Sequence, residues 1–355
     1  MRASYYLLGL VPVAVALDVL GAPAATVFLS SAVAVIPCAA LMGEATEQLA
    51  ERSGPGVAGL LNVTFGNAPE LIIAVFALAD GLHEVVKASL VGSVMGNALL
   101  VLGASMLTGG WRRPLQRYNV ASARALAMSL VIGTTALALP SLVRIVQGKE
   151  LPSVGLQRGS LGGAAEVVTI VLAVLLIGVY ARGLLVSLRS QRQAHRAEVD
   201  GDRWSGRRAG AVLGASAVLV AVASDTLVGS VEHASHELGL SQFFIGAIVV
   251  AIVGNAAEHF VAVVAALKDQ MDLTLSIAVG SAAQVGLLLA PLVALLSLVI
   301  GPARLPLVFN GYELAALIAA GWLAAAATFD GISTRRRGAG LLGVYLTLGV
   351  VFLLA

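Results

Sequence analysis

Only one cysteine, Cys38, occurs in 355 residues, so no internal disulfide can form and no cysteine-based metal or redox motif exists. Charge is also scarce: Asp, Glu, Lys and Arg make up 12% of the chain, against about a quarter in soluble domains. Aromatic residues reach only 5%. Alternating segments of about ten residues, the mark of a transmembrane barrel, are missing. So is the H-E-x-x-H pattern of a membrane metalloprotease, because His236-Glu237 is followed by Leu-Gly-Leu. The strongest enzyme reading therefore lacks its signature. A formal net charge of +2 gives no footing for nucleic acid, and the basic residues are spread over many loops.

What is abundant is apolar: 58% of residues are hydrophobic and the mean hydropathy is +0.92. Apolar segments of about twenty residues recur along the chain, long enough to cross a hydrocarbon core of about 30 Å as helices. This composition is that of an all-α integral membrane protein whose partner is the lipid bilayer. Polar and turn-rich breaks place eleven transmembrane helices at about 5–20, 25–50, 56–79, 84–108, 118–139, 162–189, 208–236, 241–267, 272–298, 311–328 and 339–355. The first is expected to be retained, since no convincing cleavage site with a soluble domain follows Leu20. The 39 glycines and many alanines suit helices packed backbone to backbone.

With eleven spans, fifteen loop Lys and Arg residues fall on one side and five on the other. Positive charge favours the cytoplasm, so the N-terminus is expected inside and the C-terminus outside. The longest polar stretch, residues 188–208, reads as a cytoplasmic linker. It divides the chain into an extra N-terminal helix (1–22), a first unit (23–188), the linker (189–207) and a second unit (208–355).

Sliding the sequence by 188 residues (254 − 66) lays "GNAPELIIAVFALADGLHEVVKASLVGS", from Gly66, on "GNAAEHFVAVVAALKDQMDLTLSIAVGS", from Gly254, without a gap. Gly66, Asn67, Ala68 and Glu70 match Gly254, Asn255, Ala256 and Glu258, and Gly92-Ser93 match Gly280-Ser281. Glu44 matches Glu232 at the same offset. The offset spans five helices, and an odd number inverts the second unit across the membrane. Equivalent sites then meet near the bilayer midplane, as in many secondary transporters.

Asn67 and Glu70, like Asn255 and Glu258, are three residues apart and share a helix face. Pro69 cannot donate a backbone hydrogen bond, and Gly66 and Gly254 are expected to weaken both helices at one level. Carboxylates, amide oxygens, freed carbonyls and the nearby Ser93, Asn97, Ser281 and Gln284 form a hard oxygen set, suited to Ca2+ rather than zinc or copper. An intramembrane carboxylate costs at least about 2.5–3.5 kcal/mol, so an empty doubly charged site is disfavoured. One divalent cation or two protons would neutralise the pair, which describes cation/proton antiport. Glu44, Glu232 and Asp225 are ionisable residues placed to line a path to the site. His259 is expected to face away from it, while His233 and His236 fall near a helix end.

The paired segments resemble the signature repeats of the Ca2+/H+ antiporters, the cation/proton branch of the calcium/cation exchanger superfamily. The likeness continues through "GEATEQLA" at 43–50, "KASLVGSVMGNALLVLG" at 87–103, "LVGSVEHASHELGLSQFFIGAIVVAIVGNAAEH" at 227–259 and "KDQMDLTLSIAVGSAAQVGLLLAP" at 268–291. It implies one extra helix plus two inverted repeats of five, and Ca2+ export driven by proton entry. It also implies central glutamates at Glu70 and Glu258, surrounded by Asn67, Asn255, Ser93, Asn97, Ser281 and Gln284, with acidic residues Glu44 and Glu232 lining the cation or proton path. Ca2+ and H+ are then the substrates, no cofactor is needed, and the expected location is the plasma membrane of a prokaryote. A homo-oligomer is compatible with this reading. Two features depart from the family. The linker is mainly basic rather than acidic, and Pro69 and Gly96 stand where Thr and Ser are the family pattern. Exchange against Na+, selectivity for Mn2+, or a cation channel are the alternatives.

Overall fold

The computed structural model describes residues 6–53, 61, 64–111, 113–155, 163–191 and 204–355. Most of the linker and the start of the third expected helix lie outside the described residues. Nine helices among those described are long and apolar enough to cross a membrane. They are α2 (Ala24–Ala50), α4 (His83–Gly109), α5 (Val120–Val146), α6 (Ala164–Gln191), α7 (Gly206–Leu238), α8 (Gln242–Leu267), α9 (Met271–Leu296), α10 (Gly311–Thr328) and α11 (Arg335–Leu354). Two shorter apolar helices, α1 (Leu7–Val19) and α3 (Ala68–Ala79), complete the set.

Helix starts follow local capping chemistry. Asn119, Ser205, Ser241 and Thr334 each accept a backbone N–H of the first turn of α5, α7, α8 and α11. Asn310 and Glu313 form a reciprocal capping box at α10. Gly239, at φ 66°, ends α7 in a left-handed turn. Three boundaries differ from the sequence expectation by four residues or more, one being the break at Asn67 that starts α3 at Ala68 inside the span expected over 56–79. The helix expected to stop near 139 continues as α5 to Val146, because Pro140 falls where a new helical turn starts and its missing N–H does no harm. Helix α11 begins at Arg335 rather than 339, because Thr334 caps it ahead of the three arginines.

Glycines let the helices touch at the backbone. A Cβ on Gly92 would lie 2.0 Å from the Ala247 carbonyl oxygen of α8, and one on Gly338 of α11 would lie 2.6 Å from the Gly103 oxygen of α4. An extensive helix contact joins α2 to α7, whose segments correspond at the 188-residue offset. Helices α4 and α9, also matched by the offset, are the most enclosed, with 83% and 72% of their central windows buried against 22% for α11. Both contain a π-helical stretch, Gly96–Val101 in α4 and Val285–Leu289 in α9, ending at the same repeat position. A third, Ile245–Val250, lies in α8. Such wide turns concentrate at functional sites because they displace side chains from regular helical register. A two-residue antiparallel pairing, Gln116–Arg117 with Ile332–Ser333, ties the α4–α5 loop to the α10–α11 loop.

Candidate functional site

The two signature segments meet, but their backbones differ. Helix α3 starts at Ala68, with Asn67 at φ −103° and ψ 23° breaking the chain direction, and Pro69 in the first turn. Glu70 therefore sits in the first turn of a helix, where the positive end of the backbone dipole favours an anion. The second segment has no such break. Helix α8 runs unbroken through Gly254, Asn255 and Glu258, because residue 257 is alanine where residue 69 is proline. The expected weakening at Gly254 is thus absent. Gly254 instead makes room: a Cβ there would lie 3.0 Å from Glu70 Cγ.

Asn255 is the centre of a polar cluster. Its Nδ2 donates to Ser93 Oγ at 3.0 Å and to the Ala251 carbonyl at 2.8 Å, and its Oδ1 accepts from Asn97 Nδ2 at 2.9 Å. Across the interface, Asn67 Nδ2 donates to Gln284 Oε1 at 2.8 Å. Glu70 packs against Gly254, which lies one turn before Glu258 on α8. Asn67, Glu70, Ser93, Asn97, Asn255 and Ser281 are buried. Gln284 and Glu258 are partly so.

These bonds commit the amide nitrogens and leave oxygens over. Glu70 Oε1, Glu258 Oε2, Asn67 Oδ1 and Asn97 Oδ1 are all buried with no hydrogen-bond partner among the described residues. Buried oxygens without donors are rare and costly, so four in one cluster call for a positive charge or protons to satisfy them. No group of three His, Cys, Asp or Glu side chains capable of holding a metal occurs among the described residues. Two carboxylates backed by neutral oxygens can hold a hard cation without the charge of a permanent site, which suits an ion that has to leave again.

The remaining candidates lie elsewhere. Glu44 on α2 is half-buried, whereas Asp225 and Glu232 are exposed along α7. His259 packs its ring toward Gly96, with about 4.0 Å between its Cε1 and Nε2 atoms and a Cβ built there. Sequence reasoning missed Ser89, one turn before Ser93 on α4, because its repeat counterpart is the apolar Ile277. It also missed the enclosure of Lys87, which is 0% exposed inside α4 and donates to the Val308 carbonyl at 3.2 Å. Elsewhere, Glu166 pairs with Arg304, and Glu84 accepts the Gly155 N–H at 2.8 Å.

The sodium/calcium exchanger protein family matches residues 23–189 and 209–354. A Ca(2+)/H(+) antiporter of Aphanothece halophytica is 38% identical over 350 residues, covering 92% of this chain and 90% of its own. The Ca(2+)/H(+) antiporter ChaA of Bacillus subtilis is 38% identical over 358 residues, covering 97% and 98%. The solved structure of native YfkE superposes with a TM-score of 0.84 at 36% identity, covering 99% of both chains. A polar, oxygen-lined centre inside a multi-pass helical membrane protein is what a family of ion exchangers, not enzymes, requires, and the chain belongs to the sodium/calcium exchanger protein family, in its Ca2+/H+ antiporter branch.

Proposed function

We propose that this protein is a secondary antiporter that exports Ca2+ from the cytoplasm in exchange for protons, by alternating access to a mid-membrane site. The observation that carries the reading is the set of four unpartnered buried oxygens on Glu70, Glu258, Asn67 and Asn97. Relatives named Ca(2+)/H(+) antiporters support the pairing of substrates. Ca2+ is bound by the ionised Glu70 and Glu258 with the two amide oxygens, while Asn255, Ser93 and Gln284 hold those groups in place. On release, a proton on each carboxyl removes its charge. The empty, doubly ionised site is held back from changing sides, since two close carboxylates in a low dielectric repel each other strongly. That restriction couples the two fluxes.

The fold we assign has eleven spans: α1, then two inverted five-helix units, α2–α6 and α7–α11. The matched π segments of α4 and α9, the α2–α7 packing and the two separately matched family segments support this division. In this reading the N-terminus is cytoplasmic, the linker is cytoplasmic, and the protein resides in a prokaryotic plasma membrane.

The test is made in sealed proteoliposomes without Na+, following Ca2+ uptake and lumenal pH together after a proton gradient is imposed, with the membrane potential clamped. Opposed, coupled movements are expected. Ca2+ flux without proton counter-movement, or flux appearing only with a Na+ gradient, would overturn the reading.

A further inference from the structure

A small cavity lies beside Glu70, lined by Glu70, Ile73, Ser89, Ser93, Val250 and Leu289 among others. It has room for about one water molecule, whose stable burial needs a few polar partners. Glu70 is only 8% exposed and Ser89 only 9%. Ser89 Oγ donates to the Val86 carbonyl at 2.9 Å, so its lone pairs remain as acceptors. Ser93 Oγ already accepts from Asn255 and keeps its own proton to donate.

The cavity is one-sided. Ile73 follows Glu70 along α3, Ser89 precedes Ser93 along α4, Val250 precedes Asn255 along α8, and Leu289 follows Gln284 along α9. Each step leads toward the face bearing the α3–α4 turn. That all four helices approach this face together is shown by Gly301, beyond the end of α9, packing on the Leu78 carbonyl, and by Gly246 of α8 packing on the Val85 carbonyl of α4. The repeat counterpart of Ser89 is Ile277, so the opposite face has no matching hydroxyl.

From this geometry we infer that Ser89 is a positioning residue that, with Ser93, holds a water against Glu70 and makes the α3–α4-turn side the hydrated route between the site and the bulk. This rests on the antiport reading and adds an asymmetry that the repeat alone would not give. Ser89→Val keeps the volume close to that of the serine plus its water and removes the hydroxyl. It is expected to slow turnover about tenfold, the equivalent of about 1.4 kcal/mol and in the range of a lost hydrogen bond to a charged group, with the Ca2+ half-saturation on the opposite face unchanged. Ser89→Thr retains the hydroxyl and is expected to keep turnover, and Ile277→Val is expected to be neutral.

A second measurement does not depend on those variants. In a Cys38→Ala background, Ser89→Cys is expected to react with a small cationic methanethiosulfonate added to the α3–α4-turn face and to be protected by Ca2+. Equal turnover for Ser89→Val, an equal loss for Ser89→Thr, or labelling of the cysteine from the opposite face would overturn the inference. If the unsubstituted protein in the same vesicles showed no coupled exchange, the antiport reading itself would fail, a result distinct from any of these.

Discussion

The two signature glycines look equivalent in sequence, yet substituting them should have different consequences. A methyl group at position 254 would lie 3.0 Å from Glu70 Cγ, 3.7 Å from Ile73 Cδ1 and 3.8 Å from Glu70 Cα. Carbon atoms rest at about 3.5–4.0 Å, so only the Glu70 side chain is too close, and it has to retreat by about half an ångström. Forcing a side chain off its rotamer costs about 0.5–1.5 kcal/mol, and the carboxylate loses its aim at the cation as well. Gly254→Ala is therefore expected to raise the Ca2+ half-saturation of proton-driven uptake by about tenfold, or about 1.4 kcal/mol. At Gly66 the same methyl meets nothing within 4 Å among the described residues. Gly66→Ala should leave half-saturation unchanged. Alanine is the better helix former by about 1 kcal/mol, so unfolding does not account for a loss at 254. Proteoliposome uptake across a Ca2+ series, beside the thermal stability of each variant, measures both effects. Equal half-saturation for the two alanine variants would refute the reasoning.

Glu70→Gln and Glu258→Gln are each expected to abolish exchange while the purified protein remains monodisperse; normal uptake by either would sink the two-carboxylate site. Gly92→Ala would place a methyl 2.0 Å from the Ala247 oxygen on the neighbouring helix, and a lower thermal midpoint should follow, since overpacking costs about 1–3 kcal/mol. In the α10–α11 loop, the Arg337 guanidinium grips Asp330 through bonds of 2.6 Å to both carboxylate oxygens and holds its pKa down at about 2. A lowered folded-state pKa stabilises above the ordinary value of 3.8 and loses that effect as pH falls toward 2. Asp330→Asn should thus lower the thermal midpoint at pH 7 and differ less from the unsubstituted protein at pH 3. A difference that grows in acid would contradict the assignment.

Much of this architecture is legible in the sequence. The start of α10 at Gly311 and the starts of α8 and α9 each fall within one residue of the positions marked by polar breaks and caps. Burying backbone in lipid demands helices of a set length, and that demand is visible in composition alone. The candidate residues were legible too, because rare polar groups in apolar segments stand out and repeat. What sequence could not supply is how the faces meet. Periodicity does not say that Asn67 would reach Gln284 across 217 positions, or that Asn255 would join Ser93 and Asn97. It does not distinguish Gly254, pressed on Glu70, from Gly66, which presses on none of the described residues. Nor does it reveal that Lys87 is enclosed or that Ser89 borders the cavity beside Glu70. The sequence by itself determined a membrane-spanning helical chain with two related segments and a repeat-matched pair of carboxylates in apolar surroundings, since hydropathy and repetition are properties of one dimension. The tertiary structure alone decided which oxygens are left without donors and on which side the cavity lies, because those depend on helix breaks, crossings and contacts between residues far apart in the chain.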